Sequence, residues 1–175
     1  GLGAELAVNG DTSGDGEWAC THTQREPTPY WEIDLSQNAA LEKIVLWNRN
    51  DTPVDKSRPE DEYTRRLYPC WVMVAQKPFS THAKLSLDLS LKSCLFKRRL
   101  TKNVRKNIIT LPSGLIGRFV RIQLERVDYM TLSEVEVMGK WGNNSKIGVC
   151  TDVACTHGAT MVAMAPIADE AEMGR

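Results

Sequence analysis

Residues 7–35 read AVNGDTSGDGEWACTHTQREPTPYWEIDL, and the organisation of the chain can be worked out from this stretch. It begins with apolar residues, passes through a polar loop rich in glycine and ends in a segment that alternates between apolar and polar side chains. Successive side chains of a β-strand point to opposite faces. The apolar side chains from Trp31 to Leu35 therefore share one face, and Glu32 and Asp34 lie on the other. This alternation predicts a β-strand.

The loop before this strand carries the residue types of a tight turn or of a cation site. Gly10, Gly14 and Gly16 can accept positive φ angles without steric cost, so the loop can fold back on itself. The side chains of Asn9 and Asp11 would then converge with freed backbone carbonyls, and hard cations prefer such oxygen ligands. The alternative is a solvated loop in which Asn9 and Asp11 only shape the turn. Taken alone, the stretch favours this second interpretation.

Six further stretches have the composition of strands, and polar loops separate them. The longest of these loops covers Thr52–Arg66 and contains two prolines and many charges, as surface loops do. No amphipathic helical period of useful length occurs before residue 140. Short strands joined by loops predict an all-β sandwich. The six stretches are Leu41–Asn48, Cys70–Ala75, Leu85–Leu91, Asn107–Leu111, Gly117–Leu124 and Leu132–Val137.

Length and composition exclude several classes of function. The chain has 175 residues, of which 42% are hydrophobic and 25% charged, and this suits one domain with a sizeable core. The formal net charge of zero argues neither for nor against a nucleic-acid partner. Few aromatic residues accompany the basic ones, so we expect no such partner. The sequence contains no run of eighteen apolar residues, so no transmembrane segment is predicted. Because it also lacks a nucleophile elbow, a phosphate-binding loop and a paired metal-binding His motif, we expect no enzymatic activity.

Six short motifs occur in the order found in one known family. They are A-V-N-G-D, C-T-H-T, P-Y-W-E-I-D-L, N-R-N-D, G-R-F-V-R-I-Q-L and L-S-E-V-E-V. Together they resemble the coagulation factor 5/8 type C (discoidin) domain, and most closely its fucose-binding lectin (fucolectin) branch. The resemblance covers roughly residues 6–140. It implies a jelly-roll β-sandwich of the galactose-binding-like fold over residues 1–140, without the family's first strand. Residues 141–175 would then be a mostly irregular C-terminal extension, either a linker or a docking tail of a longer protein.

The resemblance also implies a calcium site beneath the glycine-rich loop. Asn9 and Asp11 fall on the family's side-chain ligand positions, and Glu134 supplies a distant carboxylate. The family usually has Asp where this chain has Asn9, and the lost charge should weaken calcium binding. The alternative is that Asn9 and Asp11 cap the turn and Glu134 is solvated. Backbone carbonyl ligands are implied at Leu6, Ala19 and Ser133.

A sugar-binding site is implied at the loop end of the sandwich. His22 matches the family's histidine, Arg49 its first arginine, and Arg66 is the best candidate for the second, with Arg65 next. Arginine offers a rigid fork of donors, and neutral histidine can both donate and accept hydrogen bonds. The family's adjacent cysteine pair, which packs against the sugar, is missing because the loop before Arg66 is rebuilt. We therefore expect millimolar affinity at best, or a mouth in which His22 and Arg49 are only hydrogen-bonding supports.

The cysteines bear on the cellular compartment. The chain has five of them, and the family's partner position for Cys20 is occupied by Ser133. An odd count and a lost family disulfide indicate a reducing compartment, whereas the resemblance itself indicates an extracellular one. We predict that Cys20, Cys70 and Cys94 are reduced thiols.

Two functional classes therefore stay open. One is a calcium-assisted carbohydrate-binding module. The other is an intracellular protein-interaction module with a degenerate sugar site, for example in a ciliary or axonemal scaffold. In either case, the partner would be held by the loop end of the sandwich or by other domains of the same chain. The full-length sequence, read for a signal peptide, would separate the two classes.

Two segments add further interpretations. Basic residues concentrate between Lys92 and Lys106, where they could contact an acidic membrane or protein surface. A solvated strand pair and turn is the plainer explanation.

After Lys140 the chain becomes rich in small residues, above all alanine, and a short helix after Pro166 is predicted.

Overall fold

The computed structural model describes residues 3–53, 56–79, 87–141 and 146–147. Within these residues the chain is built mainly of antiparallel strands. The strands are β1 (Thr21–His22), β2 (Glu26–Pro27), β3 (Tyr30–Trp47), β4 (Cys70–Ala75), β5 (Phe96–Leu100), β6 (Lys106–Thr110), β7 (Ile116–Leu124), β8 (Val127–Asp128), β9 (Thr131–Leu132), β10 (Glu134–Trp141) and β11 (Lys146–Ile147). One α-helix, α1, covers Leu87–Ser93, and 3-10 helices cover Ala4–Val8, Glu17–Ala19 and Thr64–Leu67.

Strand β3 belongs to both halves of the fold. Its first part, Tyr30–Asp34, pairs with β7, while its last part, Lys43–Trp47, pairs with β10 on one side and β6 on the other. The register shifts between Asp34 and Ala39, and Ser36 has a φ angle of 67° there. The sequence predicts two strands in this region, and the structure shows one long strand that bends at this irregularity. The strand order β3-β7-β4-β5 forms one half, and β11-β10-β3-β6 forms the other.

The core lies between these halves and is built from alternating positions of their strands. Trp31, Ile33 and Leu35 face it, as the alternation predicts, and so do Ile44 and Leu46. The same buried cluster receives side chains from β4, β7 and β10. The predicted all-β jelly-roll sandwich is therefore confirmed.

The opposite face of the first half is also covered, and its polar residues are paired. Glu32 lies directly across from Arg121 on β7, and their side chains form an ion pair of 2.7 Å between Oε2 and Nε. Asp34 accepts both hydrogen bonds of a fork from Arg118, at 2.5 and 2.7 Å. The two carboxylates are buried because each has an arginine partner, as buried charges require.

One predicted strand is wrong. The leucines of the 85–91 segment alternate, but the described part of it, from Leu87 onward, begins helix α1. Leucine favours helix more than strand, and the segment has no β-branched residue to favour a strand. In the helix, Leu87 and Leu91 lie one turn apart and pack on an outer cluster that includes Met73 and Phe119. The prediction that no useful helix occurs before residue 140 fails for the same reason.

The remaining sequence predictions concern element ends. The basic run does form two strands and a turn, but β5 pairs with β4 and β6 with β3, not with each other. The described part of the 52–66 loop is largely exposed and ends in a 3-10 helix. Strand β10 continues to the buried Trp141, and β11 pairs back onto it beyond the predicted boundary at residue 140.

The predicted helix after Pro166 lies outside the described residues. Among the described helices, none is long and apolar enough to cross a membrane.

Candidate functional site

The structure brings together the side chains that the sequence assigns to a sugar site. His22 comes from β1, and Arg66 comes from the 3-10 helix at the end of the long loop. Nη1 of Arg66 lies 3.2 Å from Nε2 of His22, although these residues are 44 positions apart in sequence. Glu62 contacts the same guanidinium group at 3.7 Å. The side chain of Arg65 is exposed, which makes Arg66 the member of the pair that faces His22.

Two tyrosines complete this cluster, and no sequence motif identifies them. The Tyr63 ring lies between the two arginines, with its centre 4.4 Å from the guanidinium carbon of Arg49 and 5.0 Å from that of Arg66. The Tyr129 ring lies 5.2 Å from both the Arg66 guanidinium carbon and the centre of the His22 ring. Tyr63 belongs to a loop without any period, and Tyr129 to a short connection between strands. Sequence pattern alone therefore gave no signal for either residue.

Arg49 joins the cluster in a different state from Arg66. It is only 6% exposed, and its Nε and Nη2 atoms both donate to the carboxylate of Asp51. An arginine fork held by a carboxylate and stacked on an aromatic ring is well suited to fixing that ring in place. In this structure Arg49 therefore supports Tyr63, while Arg66 and His22 lie at the open side. A direct role of Arg49 in ligand binding stays a prediction.

Hydrogen bonds to the sandwich hold the loop that carries Arg66. The Asn48 side chain donates to the carbonyl oxygen of Thr64 at 2.7 Å, and its own oxygen accepts from the Arg49 backbone at 2.8 Å. Arg126 donates to the carbonyl oxygen of Arg65 at 2.9 Å. These contacts tie the end of a long surface loop to the ends of β3 and β7, so the polar cluster is built on fixed elements. Preorganised donors bind a ligand with a smaller entropy loss.

The predicted cation loop lies beside this cluster, and its first two residues shape a turn. The Asn9 side-chain oxygen accepts from the backbone of Asp11, and the Asp11 side-chain oxygen accepts from the backbone of Ser13, both at 2.8 Å. The hydrogen bond from Ser13 lowers the pKa of Asp11. Ser133 donates from Oγ to the carbonyl oxygen of Asp11 at 3.3 Å. Leu6 and Ala19 lie in the two short 3-10 helices that flank the loop.

Glu134 is the unusual member of this loop region. Its side chain is 0% exposed, and neither carboxylate oxygen has a hydrogen-bond partner of normal geometry among the described residues. Burial raises its pKa to about 8, even though the nearby amides of Gly10 and Asn9 act in the opposite direction. A solvated Glu134, the alternative left open by the sequence, is therefore wrong. A buried carboxylate without a partner is an energetically unfavourable arrangement.

The oxygen atoms that these residues offer suit a calcium ion, and they are not the ligands that softer metals prefer. No group of three or more His, Cys, Asp and Glu side chains that could hold a metal is found within the part of the chain that the structure describes. A cation here would rely on the carboxylates of Glu134 and Asp11 together with amide and carbonyl oxygens, which is the ligand type of calcium. The observation that supports this fit is the buried Glu134 carboxylate, whose oxygens lack a hydrogen-bond partner of normal geometry in the described part of the chain.

The cation loop and the sugar cluster are physically joined. The backbone of Asn50 donates to the carbonyl oxygen of Gly14 at 2.9 Å, and its side chain donates to Asp15 at 3.2 Å. Asn50 follows Arg49 directly. Gly14 has a φ angle of 61°, and a Cβ atom there would lie 2.9 Å from the carbonyl oxygen of Asn48. Only glycine allows this close approach of the loop to the segment that carries Arg49.

Comparisons with known proteins agree with this architecture. Residues 6–67 match the F5/8 type C family model described as a NedA-like, galactose-binding domain. Fucolectin-1 of Anguilla japonica is 22% identical over 143 residues, which cover 78% of this chain and 71% of that protein. A fucose-binding module of Streptococcus pneumoniae is 29% identical with a TM-score of 0.57, and the match covers 77% of this chain and 82% of that module.

A further solved structure has the same fold. The lectin domain of lectinolysin, in complex with Lewis B antigen, is 22% identical with a TM-score of 0.60, and the match covers 79% of this chain and 84% of that domain. The family match spans the glycine-rich loop, β1, β3 and the loop that ends at Arg66, which carry the site residues other than Tyr129, Ser133 and Glu134. Over residues 6–67 the chain is therefore similar to F5/8 type C-like galactose-binding domains, and its sandwich has the fold seen in fucose-binding modules.

Proposed function

We propose that this chain is a non-enzymatic, lectin-like module that binds carbohydrate at the cluster formed by His22, Arg49 and Arg66. The supporting observation is the convergence of His22 and Arg66, which come from distant elements, beside the rings of Tyr63 and Tyr129. An imidazole and a guanidinium group can bind neighbouring sugar hydroxyls. An aromatic face can cover the apolar side of a sugar ring, which the missing cysteine pair would otherwise do. The relatives indicate fucose or galactose as the sugar.

Arg66→Ala tests this site. We expect the wild-type chain to bind L-fucose or a galactoside with millimolar affinity, which corresponds to about 4 kcal/mol. The variant should lose binding about tenfold or more, because a charged hydrogen bond contributes about 1.5–3 kcal/mol. NMR titration with the free sugar gives the dissociation constant directly.

Arg65→Ala is the matched control, since it removes the same charge from the adjacent residue whose side chain is exposed. It should leave the affinity unchanged. Equal losses in both variants, or unchanged binding in Arg66→Ala, would contradict the proposed site.

The same module is proposed to hold a calcium ion at Asn9, Asp11 and Glu134, with carbonyl oxygens from Leu6, Ala19 and Ser133. The buried carboxylate of Glu134, whose oxygens have no hydrogen-bond partner of normal geometry among the described residues, supports this proposal. An ion bound there would neutralise that carboxylate. Through the bonds from Asn50 to the loop, it would also hold the segment that carries Arg49.

A second candidate function rests on the cysteines. Cys20, Cys70 and Cys94 are unpaired in the structure, as predicted. Burial raises the pKa of the Cys20 thiol to about 11 and that of Cys70 to about 12. Neutral, buried thiols suit a reducing compartment. They favour an intracellular protein-interaction module, for example in a ciliary assembly, that uses the same loop end.

Thiol counting separates the two candidates. In the native protein at pH 8, alkylation of Cys20 and Cys70 should be slow, because burial keeps both thiols neutral. Five alkylated thiols after denaturation of native material would favour the intracellular module. A bridge at Cys20 or Cys70, found by peptide mapping, would contradict that module and favour a secreted lectin.

A further inference from the structure

Positive charge is distributed unevenly along this neutral chain. Residues 89–124 contain nine Lys and Arg residues and no Asp or Glu, although the whole chain has 22 of each class. Six of the nine lie between Lys97 and Lys106. A surface built from this segment therefore carries a positive potential that the neutral total conceals.

Three of these nine residues are neutralised within the fold. Arg99 pairs with Glu125, Arg118 with Asp34, and Arg121 with Glu32. Because each of these arginines is paired with a carboxylate, it contributes little to the positive potential of the surface.

Four others are exposed along one stretch of the chain, which we call the basic edge: Lys97, Arg98, Lys102 and Lys106. None of the four forms an ion pair within the described part of the chain. Lys97 and Arg98 lie on β5 and Lys106 begins β6, and in the described sheets each of these strands pairs on one side only. Lys102 lies in the turn that joins them. An extended chain rises about 3.3 Å per residue, so Lys97 and Lys102 lie up to about 16 Å apart.

The turn of the basic edge is bonded to the elements of the proposed sugar site. Asn103, next to Lys102, donates from its side chain to Oγ1 of Thr64 at 2.9 Å, and Thr64 is in the same 3-10 helix as Arg66. The Tyr68 hydroxyl donates to the carbonyl oxygen of Val104 at 3.0 Å. A ligand that occupies the sugar site and continues along the surface can therefore reach the basic edge without leaving the protein.

We infer that the ligand is an acidic glycan, whose sulfate or carboxylate groups lie along the basic edge while one sugar unit occupies the site at His22 and Arg66. This inference rests on the proposed sugar site. A linear polymer matches the observed arrangement because it presents repeated negative charges beside a sugar ring. A positive edge of this length contributes affinity through several weak, salt-sensitive contacts. It compensates for the millimolar affinity expected of a single sugar.

An anionic membrane is the competing partner, and the position of the charges disfavours it. Membrane-binding surfaces combine basic residues with apolar side chains that insert into the lipid. In the turn of the basic edge, Val104 is only 38% exposed. Leu95 and Ile108 are 57% and 61% exposed, but they lie just before β5 and along β6 and not at the tip of the turn, where a side chain could insert into lipid. Charged side chains on exposed edge strands can also prevent aggregation. That role would not require all the charges to be positive. It would also not require the turn to be hydrogen-bonded to the 3-10 helix that carries Arg66.

The test measures binding of the chain to a sulfated fucan, the same polymer after desulfation, and a polyuronate without sulfate. We expect the wild-type chain to bind the sulfated polymer more tightly than the desulfated one, and the difference to vanish at high salt. Arg98→Gln with Lys102→Gln should weaken binding to the sulfated polymer about 30-fold, since each of the two charges near a polyanion contributes about 1 kcal/mol. Binding to the desulfated polymer should not change. Polyuronate binding that depends on both residues is the result expected if carboxylate groups occupy the basic edge as sulfate groups do.

A control variant and Arg66→Ala separate this inference from the proposed function. Lys77→Gln with Lys140→Gln removes the same charge from exposed positions outside the basic edge, and it should have no effect. Equal affinity of the wild-type chain for sulfated and desulfated polymer would overturn the inference and leave the sugar site standing. Arg66→Ala without effect on either polymer would instead overturn the sugar site. Binding to phosphatidylserine vesicles through Arg98 and Lys102, without binding to the sulfated polymer, would favour the membrane.

Discussion

Replacing Arg121 by methionine is expected to lower the free energy of unfolding by about 3–5 kcal/mol, because it leaves the buried carboxylate of Glu32 without its partner. Arg121 is 1% exposed, donates to Glu32 at 2.7 Å and to Ser90 Oγ at 3.2 Å, and stacks on the ring of Tyr30 at 4.0 Å. Urea denaturation followed by tryptophan fluorescence measures the change. The loss should shrink at acid pH, where Glu32 can take up a proton.

Arg118→Met is the matched control on the same strand. Arg118 also pairs across β3 and β7, but its side chain is 38% exposed. Its buried partner Asp34 keeps a hydrogen bond from the backbone of Ser36 at 2.8 Å, so the loss of Arg118 should cost less than that of Arg121, about 1–2 kcal/mol. A combined Glu32→Leu and Arg121→Met variant should recover most of the stability, since a buried ion pair can be replaced by apolar residues of similar volume. A double variant as unstable as Arg121→Met alone would contradict this account of the pair.

The success of the strand predictions reflects the period of the sequence. Pro29–Leu35 and Gly117–Leu124 alternate because one face of each packs into the core, and the structure confirms both strands. The Glu32–Arg121 pair could not be predicted, because alternation places Glu32 on the other face without saying what covers that face. Helix α1 and Phe79 cover it. The leucines of α1 misled the strand prediction because period two and a single helical turn both place Leu87 and Leu91 on one side.

In the candidate site, too, the residues within sequence motifs could be predicted, and those placed by the folding of loops could not. His22, Arg49 and Arg66 could be placed from the resemblance, and the structure brings all three to one cluster. The positions of Tyr63 and Tyr129 depend on how a rebuilt loop and a short strand connection fold against each other, and neither leaves a pattern in the sequence. The burial of Glu134 could not be read from its strand, because an alternating glutamate normally faces solvent.

Removing calcium is expected to lower the melting temperature of the wild-type chain, and Glu134→Gln should abolish that difference. A ligand present at 100 times its dissociation constant stabilises the folded state by about 2.7 kcal/mol. Thermal melts in calcium and in chelator measure the effect. Glu136→Gln is the control, because Glu136 lies two residues along β10 and accepts a hydrogen bond from Trp47 at 3.0 Å. It should leave the calcium dependence intact, and identical melts of the wild-type chain in both conditions would remove the cation from this site.

The pH dependence of stability should differ with and without the cation. In chelator, the folded-state pKa of Glu134 is about 8 against an ordinary value of 4.5, so the folded chain binds more protons than the unfolded chain between these values. The stabilisation is fully present below pH 4.5 and is lost as pH rises through 8, at up to about 1.4 kcal/mol per pH unit for one proton.

Calcium binds the ionised carboxylate, so its affinity should increase over the same range and the loss of stability should disappear. Glu134→Gln cannot titrate, and in chelator at pH 8 it should be at least as stable as the wild-type chain. A wild-type chain that instead becomes more stable in chelator between pH 5 and 8, relative to Glu134→Gln, would show that this carboxylate is already ionised and paired without the ion.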